Sequence, residues 1–409
     1  MTGPDRTPPL SRRAALRALA GAAALLGGGA RALQPPAAGT PALKLIAHGS
    51  LASGQSFQNT TIGGLSGLAG DARTGLWYAL SDDRSRHAPA RCYVLRLPPF
   101  AAGQPLLPQW VDVITLLGPD GQPFPRHRVD PEALALRQDE ATGATTLLWT
   151  SEGDLRARIP PALYESALDG RLLRELPLPP LLRQTGARGR GPRNNETLEA
   201  LATTPDGRHA WAGMESALAQ DAGGPGAPAG PCRITRFDLA RGRADRQVAY
   251  LPEPLPFGMA LPHGPAESGV AEVLVADEHR LWVLERAWTP ATGVSARLYE
   301  ADLRGASDTL GIDTLRPGRY RPTPKRLLLD LRASGLPHVD NFEAMAWGPP
   351  LPGGWTSPPS SAASHAALPP EGAPTALGRP GGGRTLVMMT DDNFNPLQVT
   401  QFAAFEVVE

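Results

Sequence analysis

Acidic residues recur in this chain at two spots of a repeating pattern. One set opens short apolar runs: Glu132, Glu199, Glu272 and Glu343, with Ser66 at the matching spot of the first repeat. The other closes the run that follows: Asp82 and Asp83, Glu152 and Asp154, Glu215, Glu285, then Asp391 and Asp392. Carboxylates gathered by a fold repel one another unless something positive sits among them. Oxygen donors of this kind suit a hard cation, Ca2+ first and Mg2+ second. The opposing reading pairs the same acids with Arg84, Arg86, Arg91, Arg156, Arg158, Arg286 and Arg297, because ion-pair networks imitate functional clusters. Asp and Asn also end strands as plain turn residues. The cation reading is preferred, with Asp82, Asp83, Glu132, Glu152, Glu199, Glu343, Asp391 and Asp392 as candidate ligands.

A bound cation would polarise a phosphoryl oxygen and help activate water, while arginines clamp the remaining oxygens. Arg84, Arg91 and Arg286 are the candidate clamp, and His87 the candidate proton donor. A lone loop histidine is also commonly just solvated. Other chemistries find less support. Ser66 lies in Gly64-Leu65-Ser66-Gly67-Leu68, without the Gly-x-Ser-x-Gly elbow of a serine esterase. No Cys-x-x-Cys, His-Glu-x-x-His or Gly-rich phosphate loop is present.

The elements that must carry these residues are short strands. In the first repeat they are Leu65–Ala69, Leu76–Leu80 and Cys92–Leu97, separated by an Asp-Ala-Arg-Thr-Gly turn and by a basic loop containing Arg84, Arg86, His87 and Arg91. From Ser66 through Glu132, Glu199 and Glu272 to Glu343 the steps are 66, 67, 73 and 71 residues. A steady period offering about four strands predicts an all-β propeller of four-stranded blades. The final repeat supplies only three strands, ending at Val399–Val408, while Leu43–Leu51 is a strand with no repeat of its own. The N-terminal strand is therefore expected to complete the last blade and close the ring, which removes exposed edges. Five blades follow, or six if residues 300–340 hide further strands. Closure would bring the Asp82-Asp83 and Asp391-Asp392-Asn393 turns into adjacent blades, which makes them the foremost metal candidates. Trp77, Trp149, Trp211 and Trp282 fall at matching places on second strands and are expected to pack between blades. Cys92 and Cys232 belong to units that are not neighbours in a ring, so two buried free thiols are expected.

Lys plus Arg and Asp plus Glu both number 40, which leaves no basic footprint for nucleic acid. Residues 1–32 carry five Arg and one Asp, a net +4, so the remainder stands at −4. Those first 32 residues read as a Tat-type signal: twin arginines Arg12 and Arg13, a short apolar run 18–26, and a small-residue end at Ala32. The run is too short to span a bilayer. Export through the Tat translocase to the periplasm or beyond is expected, with no stable membrane insertion. A Pro/Ala/Gly linker at 33–42 leads into one domain at 43–409. Segments 219–231 and 349–383, rich in Gly, Pro, Ala and Ser, are expected to be disordered insertions. The arginine-rich loop 183–195 is expected either to bind an anion or to be simply solvated.

GGLSGL at 63–68, LSDDRS at 80–85, the recurring EALA segments, VLER at 283–286 and TDDNF at 390–394 resemble the phytase-like propeller family described as having esterase-like activity. The resemblance spans 43–409 and implies a secreted propeller that hydrolyses phosphoesters. The expected function is that of an exported single domain, a Ca2+-dependent hydrolase acting as a monomer on a small-molecule phosphoester. The alternatives are a non-catalytic binding propeller and a lactonase-like propeller hydrolase, because a propeller fold hosts many functions.

Overall fold

The first described strand belongs to the same sheet as the last. In the computed structural model, β1 (Ala42–Ala52) runs antiparallel to β22 (Val399–Val408), with Ala42 opposite Val408 and Ala52 opposite Val399. The described residues are 42–139, 142–183, 189–223, 230–254, 267–290, 292–351 and 383–408. The twin-arginine segment, linker residues 33–41 and the interiors of the two insertions, 224–229 and 352–382, lie outside them. A short hairpin, β2 (Ser56–Phe57) with β3 (Thr60–Thr61), leads into the repeats.

Five four-stranded antiparallel sheets follow as blades. Blade one holds β4 (Leu65–Asp71), β5 (Leu76–Ser81), β6 (Arg91–Arg96) and β7 (Gln109–Thr115). Blade two holds β8 (Pro131–Gln138), β9 (Thr145–Ser151), β10 (Ala162–Ala167) and β11 (Leu172–Leu176). Blade three holds β12 (Leu198–Thr203), β13 (His209–Met214), β14 (Cys232–Asp238) and β15 (Arg243–Tyr250). Blade four holds β16 (Glu267–Asp277), β17 (Arg280–Thr289), β18 (Gly293–Asp302) and β19 (Lys325–Asp330). Blade five holds β20 (Phe342–Gly348), β21 (Arg384–Thr390), β22 and, outermost, β1. Segment 300–340 contains β19 and no sixth blade, so the count is five.

The innermost strands β4, β8, β12, β16 and β20 touch one another in turn around the axis, and β20 returns to β4. They are covered on both faces, which is why they read as apolar runs and not as a strict alternation. By contrast β7, the outer strand of blade one, is largely exposed. The core is divided among the five blade interfaces. Leu68 and Trp77 meet Val387 and Phe402 between blades one and five, and Trp149 lies among Leu80, Val94 and Leu134 between one and two. Leu148 and Leu163 meet Leu198 and Phe237 between two and three. Trp211 and Ile234 meet Val273 and Val283, and Trp282 and Leu298 meet Met345 and Phe405. Each of the four matching tryptophans thus fills a seam. Emptying a wholly buried one such as Trp149 should cost about 3–5 kcal/mol. Cys92 and Cys232 are buried free thiols.

The described end of the first insertion differs from the expectation of a loose loop. Asp221 is buried and takes Arg233 through two hydrogen bonds, 2.7 and 3.1 Å, and the Leu315 N–H at 2.7 Å. A buried guanidinium needs such a partner, so residues 219–223 are built into blade three. Among the described residues no helix is long and apolar enough to cross a membrane.

Candidate functional site

Each innermost strand carries a register shift near its start. Pairing jumps from Leu65 to Gly67, from Leu198 to Ala200, from Val270 to Glu272 and from Phe342 to Ala344. In β8 it jumps from Pro131 to Leu134, and the Ala133 N–H donates to Thr150 Oγ1. A bulge sets one residue aside from the ladder and re-aims its side chain. The matching residues are therefore Ser66, Glu132, Glu199, Ala271 and Glu343. The second strands are aligned by a shared bond just past their ends. Asp82 N donates to Gly64 O, Glu152 N to Asp130 O, Glu215 N to Thr197 O and Asp391 N to Asn341 O. Blade four pairs Gly269 with Arg286 at that place. The second matching set is Asp82, Glu152, Glu215, Arg286 and Asp391.

Two acids counted with these sets in the sequence stand one residue off. Glu272 accepts from the backbone N–H of Leu201 and Val273, both in the wall between blades three and four. Glu285 accepts from Tyr250 Oη at 2.6 Å and pairs with Lys325 at 2.5 Å. A shift of one residue in a strand turns a side chain to the other face. The residues that take the axial positions of blade four are Ala271 and Arg286.

Several of the other acids do meet. Asp130, Glu132 and Glu152 each bring a carboxylate oxygen within 4.8 Å of the others, and so do Glu152, Glu199 and Glu215. Arg286 reaches Glu343 at 2.6 Å, Glu215 at 3.0 Å and Glu199 at 3.8 Å, and donates to Asn341 Oδ1 at 2.9 Å. Arg84 pairs with Asp130 and donates to Asn195 Oδ1 at 2.7 Å. Burial, reinforced by Glu215, pushes the Glu152 carboxyl up to about 8. Burial also lifts Glu215 to about 7 against the pull of Arg286, and Asp130 to about 6 against that of Arg84. Asp82, Glu132, Glu199 and Asp391 stand well above the usual carboxylate range, through burial first and neighbouring carboxylates next. Desolvation and like-charge repulsion act in the same direction, so at neutral pH the ring holds protons or needs a cation.

Asp392 stands beside this ring, at the seam of blades five and one. Its Oδ1 accepts from the Gly64 N–H at 2.9 Å and the Phe394 N–H at 3.0 Å. Its Oδ2 is buried with no hydrogen-bond partner, and its charge bears on both Asp82 and Asp391. The glycines of the Gly63-Gly64 pair make room for this packing. Gly64 sits at φ +59°, and a Cβ there would fall onto Asp82 Oδ1 and the Phe394 ring.

Other candidates from the sequence lie elsewhere. Asp83 is turned out of the ring: it accepts from the N–H groups of Arg86, His87 and Ala88 and pairs with Arg91 at 2.7 Å. Those bonds hold its carboxyl below the usual range despite burial. Arg91 is 1% exposed and spends its remaining donors on Thr61 O and Tyr93 Oη. It ties a loop and is sealed from any ligand. Arg286 points inward but is engaged by three carboxylates, so it answers the acids and does not clamp an anion. Arg84 is the clamp candidate that retains substantial exposure, at 27% of its side chain. His87 is exposed and stacks on Phe394 with ring centroids 4.3 Å apart. In the arginine-rich loop, Arg183 pairs with Glu175, Arg190 with Asp313 and Arg193 with Glu196.

Asp130 and Asn341 are site residues that sequence reasoning misses. A signal exists, since each lies two residues before the bulge position. Gly64-Leu65-Ser66, Asp130-Pro131-Glu132, Thr197-Leu198-Glu199, Gly269-Val270-Ala271 and Asn341-Phe342-Glu343 form one recurring triplet.

The molecule is thus a five-bladed propeller with a buried ring of carboxylates at its axis. The chain belongs to the phytase-like family described as "esterase-like activity of phytase", which matches residues 60–394. This membership suggests a hydrolase, and the family is generally Ca2+-binding. No curated protein sequence matches. Among solved structures, an N-acetylgalactosamine deacetylase from F. plautii is 10% identical, with 89% of this chain and 95% of that chain covered and a TM-score of 0.44. The tail fibre of Staphylococcus aureus phage P68 is 9% identical, with 90% and 53% covered and a TM-score of 0.37. The Dos1 propeller is 7% identical, with 84% and 68% covered and a TM-score of 0.33.

Proposed function

We propose that this chain is a metal-dependent phosphoester hydrolase whose cation is held by Asp82, Asp391 and Asp392. The observation that carries this reading is the buried, unpartnered Oδ2 of Asp392 beside two other carboxylates. Among the described residues none of those three makes an ion pair with an arginine or lysine. All the donors are oxygens, the set a hard cation such as Ca2+ selects. Asp83, turned away onto Arg91, is outside the proposed set.

A divalent ion bound there would supply electrophilic assistance at a phosphoryl oxygen and a lowered pKa for water. The chain's own groups do the rest. Arg84, held at the rim by Asp130 and Asn195, offers its guanidinium to a phosphoryl oxygen. His87, fixed flat against Phe394, stands at the exposed edge where a leaving alkoxide needs a proton. Gly64 keeps the approach narrow by letting Asp82 and Phe394 close over it. Export through the Tat route and action as a monomer on a small-molecule phosphoester belong to the same proposal.

The test is hydrolysis of p-nitrophenyl phosphate and phytate by the purified protein with Ca2+ or with EDTA. Activity should require Ca2+, and Asp391→Asn should reproduce the effect of the chelator. Lactone opening without phosphoester turnover, or ligand binding without any turnover, would overturn the reading.

A further inference from the structure

Blade four breaks the ring's pattern in charge. At the bulge position it carries Ala271 where three blades carry Glu, and at the place that follows the second strand elsewhere it carries Arg286 where four carry Asp or Glu. The substitution is placed to act on both neighbours. From blade four the guanidinium of Arg286 spans to Glu199 and Glu215 of blade three and to Glu343 and Asn341 of blade five. Among the described residues the seam of blades five and one, with Asp82, Asp391 and Asp392, has no such group.

We propose that Arg286 is a resident cation, occupying one half of the ring in place of a metal ion and confining divalent ions to the seam of blades five and one. In this role it is a positioning residue that sets how many ions the ring takes and where. The inference rests on the metal reading for the seam, but it concerns the other half and can fail separately. Glu199, Glu215 and Glu343 already bring three oxygen donors toward the guanidinium. Taking the fixed charge away leaves a donor set that a divalent ion can satisfy. The Gly269 backbone supports this arrangement, because a Cβ there would press on the Glu215 carbonyl and side chain, at 2.6 and 2.7 Å.

The experiment compares the full-length wild-type protein with Arg286→Gln, using CaCl2 alone as the probe. Bound calcium is counted by calorimetric titration and by elemental analysis after dialysis, and thermal unfolding is followed in Ca2+ and in EDTA. The expected result is one ion for the wild type, two for Arg286→Gln, and a larger Ca2+-dependent rise in Tm for the variant. One ion in both proteins overturns the proposal and leaves the seam site standing. No ion in the wild type and one in Arg286→Gln sustains the resident cation and overturns the seam site. No ion in either overturns both. Should Arg286→Gln fail to fold in EDTA yet fold in Ca2+, the proposal is supported by that alone. Should it fold in neither, Glu199→Gln/Arg286→Gln relieves the crowding and keeps Glu215 and Glu343. A second, weaker Ca2+ is expected there, and its absence overturns the proposal.

Discussion

Two halves of one ring solve the same electrostatic problem differently. Around blade four, Glu199, Glu215 and Glu343 are crowded, yet Arg286 lies among them at 2.6–3.8 Å. At the seam of blades five and one, Asp82, Asp391 and Asp392 bear on one another by charge and hold no guanidinium among the described residues. Crowding alone therefore does not mark a ligand site. What separates the halves is whether the chain supplies its own counter-charge. The Asp83–Arg91 pair, almost wholly buried, makes the same point one residue away: next to a candidate ligand, a carboxylate with its own arginine is structural.

The comparison is broken most severely by removing the built-in charge. Arg286→Ala should cost about 3–5 kcal/mol at pH 7 without added metal, the range for stranding buried partners of an ion pair. Denaturant unfolding measures it, and a loss below about 1 kcal/mol would mean that the three glutamates do not depend on this arginine.

The next effect tests, through pH, the part of the ring away from the seam of blades five and one. Glu215 and Glu152 have folded values near 7 and 8, above the ordinary 4.5 of a free glutamate. The folded state then binds more protons than the unfolded one, so their contribution is present below about pH 4.5 and is lost as pH rises through 7 to 8. In EDTA, stability should fall across that window by on the order of a few kcal/mol. Because Arg286 confines Ca2+ to the other seam, saturating Ca2+ should leave most of that slope in place, and urea midpoints measured on both sides of that window, with and without Ca2+, decide it.

A smaller change sharpens the seam. Asp392→Asn keeps an oxygen for the Gly64 and Phe394 N–H groups and places a donor where Oδ2 had no partner. It should gain about 1 kcal/mol in EDTA and lose the Ca2+-dependent rise in Tm. Retention of the full rise would exclude Asp392 as a ligand. Least of all, His87→Ala should cost about 0.5–1 kcal/mol through the lost stacking on Phe394. If His87 donates the proton, turnover falls while calcium stoichiometry stays constant, and unchanged turnover would remove it from the mechanism.

Much of this architecture is legible in the residues alone. The spacing of Glu132, Glu199 and Glu343, the orphan strand at 43–51 and the three-stranded last repeat lead to a closed ring of five or six blades, and the structure of 300–340 settles five. Asp82, Glu132, Glu152, Glu199, Glu343 and Asp391 follow from the repeat and do converge, with Asp392 beside them. Arg91 and Asp83 go astray because nothing local distinguishes an arginine that reaches a ligand from one folded back onto Thr61 and Tyr93. Glu272 and Glu285 fall out of step because blade four carries Ala271 and Arg286 at the matching places, and a glutamate stands next to each in the sequence.

The sequence by itself determined the blades, their order and the composition of the seams, because turn residues and apolar runs act over a few neighbours and simply recur. Only the tertiary structure decided which member of each adjacent pair meets the axis. In a strand successive side chains point to opposite faces, so an offset of one residue exchanges Glu285 for Arg286 and turns a ring of carboxylates into one that carries its own positive charge.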